Sequence, residues 1–383
     1  MKKLDRELLA QKLEERMAAD FAESKVGGAS LYVAQDGECL YHNHFGLMGA
    51  TEGESISDNT IYRLASMTKP ITAVAAMILV ERGLLRMEDY VDTYLPEFTD
   101  MDIARLENDE IRIVGKAKTR LTILHLLTHT SGIGSGMLGV AQDKLMTAET
   151  KQTLDNCIDF YAKSALAFEP FTAEAYSGVA AFSVFVKIAE MVSGMDYETF
   201  LKKNIFEPCG MKDTGFIPTE EQWSRFVGMH AREEEKSVRK EMKAGCVFSG
   251  YPCTNFLGGA GLFSTLPDYV RFAEMLRRGG EIDGNRIISE ASVRYIGTPR
   301  IPENLMGPRM RWGLAVRVIV GEHVMPLGCF GWSGAYGTHF WVDPDNRIVA
   351  VYMKNCTYDG GAGCRTGNNF EKDIYACLED TAE

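Results

Sequence analysis

The chain has 383 residues, 45% of them apolar and 25% charged, the proportions of a globular protein large enough for one big domain or two joined ones. Its net charge of −12 argues against nucleic acid or an anionic membrane surface as a partner, and no uninterrupted apolar stretch is long enough to span a bilayer. The nine cysteines are scattered and include no C-x-x-C pair, which points to reduced thiols in a cytoplasm and away from disulfides or structural zinc.

Leu4, Leu8, Leu9, Leu13 and Met17 recur at helical spacing among charges, which predicts an amphipathic N-terminal helix and not a signal peptide. ASLYVAQDGECLYHNHFG then reads as two strands joined at Asp36-Gly37. A helix is expected from Ser66 to Arg82, with Gly83 beyond its end and Pro70 tolerated in a first turn whose N–H groups have no partners. From Leu84 to Met242 the pattern is mainly helical, with helices expected over 122–128, 151–165, 179–192 and 196–205. Within it, Arg232–Lys243 is a charge run expected on the solvated surface. Strands return at 314–319, 337–342 and 348–353, the last two joined by a turn at Asp343-Pro344-Asp345-Asn346, and a helix over 369–378 closes the chain. The expected architecture is α/β, an antiparallel sheet built from the two terminal segments (1–83 and 243–383) and flanked by helices, with a mainly helical domain (84–242) inserted.

A serine hydroxyl becomes a competent nucleophile only when a neighbouring base takes its proton. Ser66 and Lys69 stand at i and i+3, one helical turn apart, so their side chains share a face. At a helix N-terminus the Ser66 N–H is unpaired and points toward developing negative charge, giving half an oxyanion hole. The apolar Ile71, Val74, Ala75 and Ile78 behind Lys69 supply the desolvation that lowers an amine pKa. The same spacing recurs at Ser237 and Lys240 inside the charge run, where nothing desolvates the lysine.

Order and context separate the two. YRLASMTKPITAVAAMILVERGLL, LTILHLLTHTSGI, FEPFTAEAYSGVA, LGGAGLFSTLPDYVRFAEML and FGWSGAYGTHFWVDP resemble successive blocks of the serine β-lactamase-like family, from about Gly28 to Lys354. That family holds class C β-lactamases, D-Ala-D-Ala peptidases and the family VIII-type carboxylesterases, and it implies the β-lactamase/transpeptidase-like fold. The resemblance implies that Ser66 is acylated with Lys69 as its partner, that Tyr176 relays protons, and that Trp332-Ser333-Gly334, on a strand beside the Ser66 helix, binds substrate together with Gly178. The N–H of Ala335 would complete the oxyanion hole, and the bare backbone of Gly334 would let substrate lie along the strand edge.

Two departures from the family pattern bear on substrate. Trp332 stands where β-lactamases and D-Ala-D-Ala peptidases usually carry Lys or His, and Gly178 stands two residues after the tyrosine, where Asn is typical. A site with neither group favours neutral acyl esters over charged peptides or lactams, so the expected substrate is a small-molecule ester. A β-lactamase, a D-amino-acid peptidase or amidase, and an acyltransferase are the alternatives on the same site. A non-catalytic binding or filament-forming homologue is the alternative of another class, against which intact Ser66, Lys69 and Tyr176 argue.

No metal and no cofactor are expected. Gly134 to Gly139 fits G-x-G-x-x-G but follows a helix where a dinucleotide site needs a strand. Gly331–Ala335 is one residue short of a nucleophile elbow, and His125 and His129 at i, i+4 lack the glutamate of an H-E-x-x-H site.

Overall fold

A computed structural model describes residues 2–23, 25–49, 52–233, 236–240 and 255–379. Its centre is one antiparallel sheet of eight strands: Gly28–Gln35 (β1), Glu38–Gly49 (β2), Glu52–Ser55 (β3), Met310–Trp312 (β4), Arg317–Ile319 (β5), Phe330–Ser333 (β6), His339–Asp343 (β7) and Ile348–Met353 (β8). Their order across the sheet is β4-β5-β6-β7-β8-β1-β2-β3. The N-terminal and C-terminal segments therefore meet at the β8–β1 seam, where Ala350 lies opposite Val33 and Val351 opposite Tyr32. Asp36 and Gly37 adopt left-handed backbone (φ 52° and 84°), the geometry a two-residue turn needs to fold β1 onto β2.

Helices Arg6–Ala22 (α1), Thr68–Glu81 (α2), Ala180–Ser193 (α3), Leu266–Arg277 (α4) and Arg365–Tyr375 (α5) surround the sheet. The Asp5 carboxylate accepts from the Leu8 N–H and starts α1, whose Leu9, Leu13 and Met17 pack with Phe370 and Ile374 of α5 against Trp341 and Ala350 on one face. On the other face Ile71 of α2 and Phe272 of α4 join Phe340, Val349 and Val351 in the main core, which continues into α3. All six residues of β8 are buried, as a strand covered on both faces must be.

Elsewhere the elements sit close to their expected places, with informative differences. The apolar run at 314–319 yields a strand only from Arg317, because Ala315 takes φ 57° and the N–H groups of Leu314 and Ala315 are drawn to Ile296 and Leu127. The last helix begins at Arg365 and stops at Tyr375, since Leu378 leaves it to pair with Leu4. Between the sheet segments stand Ile123–Leu127, Gly136–Asp143, Leu154–Lys163, α3 and Tyr197–Leu201, helices within the expected spans except the second, which was not expected, and α3, which ends one residue later. A hairpin, Asp102–Glu107 with Glu110–Lys116, also stands there; its turn residues Asn108 and Asp109 are left-handed. The charge run at 232–243 begins as a second hairpin, Met229–Glu233 with Lys236–Lys240, and its remaining residues lie outside those described.

Candidate active site

The chain enters the site from the short strand Ile61–Arg63, paired with Phe263–Thr265. Ala65 then takes a left-handed conformation (φ 47°), which costs a non-glycine residue about 1 kcal/mol. Ser66 follows within a 3-10 turn, Ala65–Met67, and α2 starts only at Thr68. The serine is thus presented on the turn before the α-helix and not in its first turn, and Pro70 falls inside that first turn without removing a needed donor. Ser66 remains partly exposed, whereas Lys69 is completely buried.

Tyr176 lies 110 residues further along the chain, and its hydroxyl donates to Ser66 Oγ at 2.8 Å. Lys69 Nζ stands 3.5 Å from the same Oγ, 2.6 Å from the Gly178 carbonyl and 2.8 Å from the Gly259 carbonyl. It also lies 4.7 Å from the ring centroids of both Tyr176 and Phe182. Among the described residues no carboxylate pairs with it, and burial holds its pKa below the ordinary lysine value against an opposing pull from Tyr176. A neutral amine that gives both N–H groups to the two carbonyls keeps its lone pair for the serine proton.

Gly259 explains how the amine is held. A Cβ at that position would lie 2.6 Å from the Gly178 carbonyl and 3.3 Å from Lys69 Nζ, so only glycine lets the two strands of chain close on the lysine. At Gly334 a Cβ would overlap the Leu64 carbonyl and the Thr338 hydroxyl, so glycine is what lets the chain leaving β6 seat against the Ser66 turn. Thr338 Oγ1 fastens the same junction by donating to the Leu64 carbonyl at 2.8 Å. Ala335 follows in the β6–β7 turn, and neither its N–H nor that of Ser66 has an acceptor among the described residues.

Trp332 and Ser333 point to opposite faces of β6. Trp332 faces the serine, donating from Nε1 to the Tyr176 hydroxyl at 3.2 Å. The Ser333 hydroxyl, expected to bind substrate, instead meets His339 Nδ1 at 2.8 Å on the far side of the sheet. There His339 Nε2 lies 3.0 Å from Glu371, which also accepts from Arg317 at 2.8 Å. Burial pushes the Glu371 carboxyl up, but His339 and Arg317 outweigh it and hold it at about 2. Because the folded-state pKa is depressed, this stabilisation is full above the unfolded carboxyl range and fades as pH falls toward 2. Glu371→Gln should lower stability by about 3 kcal/mol at neutral pH, read as a lower denaturant midpoint, and flatten the acid limb of the stability profile.

At Gly178 an added Cβ would meet nothing within 4 Å. Around the Tyr176 phenol stands a wall of which sequence reasoning identified only Trp332. Trp312, Trp332 and Ile301 form a buried cluster joined by Leu305 and Met306, with the two indoles 4.6 Å apart. The fully buried His129 ring packs 4.5 Å from Tyr176 and 4.3 Å from Trp312, and accepts from the Ser177 N–H at 3.0 Å. Burial keeps that imidazole well below its ordinary pKa. His125 instead accepts from the Thr122 N–H at its own helix start through Nδ1. Glu174 accepts from the Trp312 indole at 2.8 Å. The Gly-Gly pair at 258–259, inside a block already quoted, was the one signal that could have found Gly259. Gly134–Gly139 leads from a loop into Gly136–Asp143 with no strand before it, unlike a dinucleotide-binding turn.

The family model described as Beta-lactamase matches residues 9–368. Esterase EstB of Burkholderia gladioli is 28% identical over 391 residues, covering 94% of each chain. Among solved structures, EstCE1, described as a hydrolase with promiscuous acyltransferase activity, superposes with a TM-score of 0.82 at 21% identity, covering 97% of this chain and 99% of that one. A structure described as a family VIII carboxylesterase gives 0.74 at 21% identity, covering 96% and 97%. At that identity the two superpositions speak for the fold. No helix among the described residues is long and apolar enough to cross a membrane.

Proposed function

Because the chain belongs to the beta-lactamase family, we propose that it is a serine hydrolase that cleaves small carboxylic esters through an acyl-enzyme on Ser66. The observation that carries the reading is the contact of Ser66 Oγ with both Tyr176 and Lys69, in a site whose third-motif side chain is the neutral indole of Trp332. Ser66 Oγ accepts from Tyr176, so its own proton goes to the neutral Lys69 amine as Oγ bonds to the ester carbonyl carbon. The N–H groups of Ser66 and Ala335 stabilise the oxyanion. The bond to the alkoxide then breaks, Tyr176 protonates the departing alcohol, and Lys69 returns a proton to Tyr176. Water repeats the sequence on the acyl-enzyme.

Trp312, Trp332 and Ile301 offer an acyl group an apolar wall, and no third-motif cation is there to hold a substrate carboxylate. The similarity to Esterase EstB supports the ester reading. A panel of p-nitrophenyl esters, a chromogenic cephalosporin and D-amino-acid amides tests it side by side: strong lactam or amide turnover without ester turnover sinks it. Trp332→Phe stays aromatic but removes the donor to Tyr176 and part of the buried wall, and is expected to lower ester kcat about 10-fold together with a modest fall in the unfolding midpoint.

The same apolar wall favours an alcohol over water as acyl acceptor, which makes acyl transfer the second reading; added short-chain alcohol should then divert product from acid to new ester. The partner in either case is a small-molecule acyl donor, with nucleic acid and membrane surfaces disfavoured by the net charge of −12. Our reading of a cytoplasmic location is supported by seven described cysteines, all unpaired.

A further inference from the structure

On the outer part of the sheet, away from Ser66, β2 carries two histidines two residues apart, His42 and His44, which therefore project from the same face. Their rings meet edge to face with centroids 5.0 Å apart. Asp58, in the turn Ser57–Thr60, reaches both: its Oδ1 lies 2.8 Å from His42 Nε2 and 3.2 Å from His44 Nε2. One ligand atom from each of the three residues falls within 4.8 Å of the other two. We propose that His42, His44 and Asp58 bind a divalent ion of the zinc class.

Three features of the cluster support this. A tetrahedral zinc ion with nitrogen and oxygen ligands near 2.1 Å needs those atoms about 3.4 Å apart; His44 Nε2 already stands 3.2 Å from Asp58 Oδ1, and His42 Nε2 at 2.8 Å needs only to move outward by about half an ångström. Two imidazoles and a carboxylate suit zinc and cobalt, and the exposure of His42 and Asp58 leaves the fourth position to water.

The third feature is the support behind His44. Its Nδ1 lies 2.8 Å from Ser30 Oγ, which is in turn 2.8 Å from the buried hydroxyl of Tyr62. Ser30 Oγ has two lone pairs and so has room to accept from both the imidazole Nδ1–H and the phenol. With the proton held at Nδ1, the lone pair of Nε2 faces Asp58, the orientation a metal-binding histidine takes when its other nitrogen is anchored from behind. The ion would tie β2 to the turn leading into Ile61–Arg63, the strand that precedes Ala65 and Ser66. Its role is structural, because the three ligands belong to none of the groups placed around the serine.

The test is titration of the full chain, stripped with EDTA, with Co2+ followed by its visible d–d absorption and competed with Zn2+. One saturable site per chain is expected, without the near-ultraviolet charge-transfer band of thiolate ligation. His44→Gln and Asp58→Asn should each weaken binding at least 10-fold, and Ser30→Ala about 10-fold by freeing the imidazole. Zn2+ should raise the unfolding temperature of the parent but not of Asp58→Asn, with ester turnover unchanged in both. Absence of saturable binding, a thiolate band, or identical titrations of the parent and the His42→Gln/His44→Gln double variant would overturn the proposal. The variants' circular dichroism confirms that any loss is of ligands and not of fold.

Discussion

Ser66→Ala should abolish labelling by a fluorophosphonate probe in intact-mass spectrometry and reduce ester turnover by about 10^5-fold or more. The magnitude follows from covalent chemistry: without Oγ no acyl-enzyme forms, and what remains is binding and the two N–H donors. The substitution removes one atom at a partly exposed position, so the protein should fold normally. Ser237→Ala is the matched control. It alters the chain's other S-x-x-K, which lies on the strand Lys236–Lys240 and outside the family-like blocks. Labelling of the Ser66→Ala protein at another serine would refute the assignment of the nucleophile.

The second large effect concerns Lys69. Lys69→Met, close in length but unable to accept a proton, should reduce acylation about 1000-fold. A pH profile distinguishes loss of a base from loss of packing. In the parent, kcat/KM should rise with pH as the buried amine loses its proton, with the ascending limb below the ordinary lysine range because burial disfavours the ammonium form. In Lys69→Met that limb should vanish, leaving a slow rate without the same inflection. A parent profile flat from acid to alkaline pH would refute the neutral-amine mechanism.

The proximity of Ser66 and Lys69 was legible because both lie within one turn of chain, and helical spacing is a local property. The sheet built from both ends was legible for a similar reason: Asp36-Gly37 and the β-branched run at 348–353 announce themselves without reference to anything distant. The hairpin at 102–116 escaped because Asn108-Asp109 lacks the glycine of the commoner turn, although both residues adopt the same left-handed backbone. Trp312, His129 and Glu174 escaped for a deeper reason. Each gains its place from a tertiary neighbour, and nothing in the local sequence of a tryptophan says that it will stand 4.6 Å from another. Ser333 shows the converse limit: a resemblance places a residue on a strand, but the two-residue period of that strand decides which face it serves, and here it serves the buried Glu371 network.

The junction that Thr338 fastens to the Leu64 carbonyl spans 274 residues of chain. At a translation rate of roughly 5–20 residues per second, that separation leaves the serine turn without the β6–β7 junction for roughly 14–55 s after it has been made. Throughout that interval α2, apolar along nearly its whole length, has no completed sheet to lie against. Biosynthesis of this enzyme should therefore depend on chaperone protection of the Ser66 segment, and no ribosome-bound fragment ending before Thr338 should hydrolyse an ester.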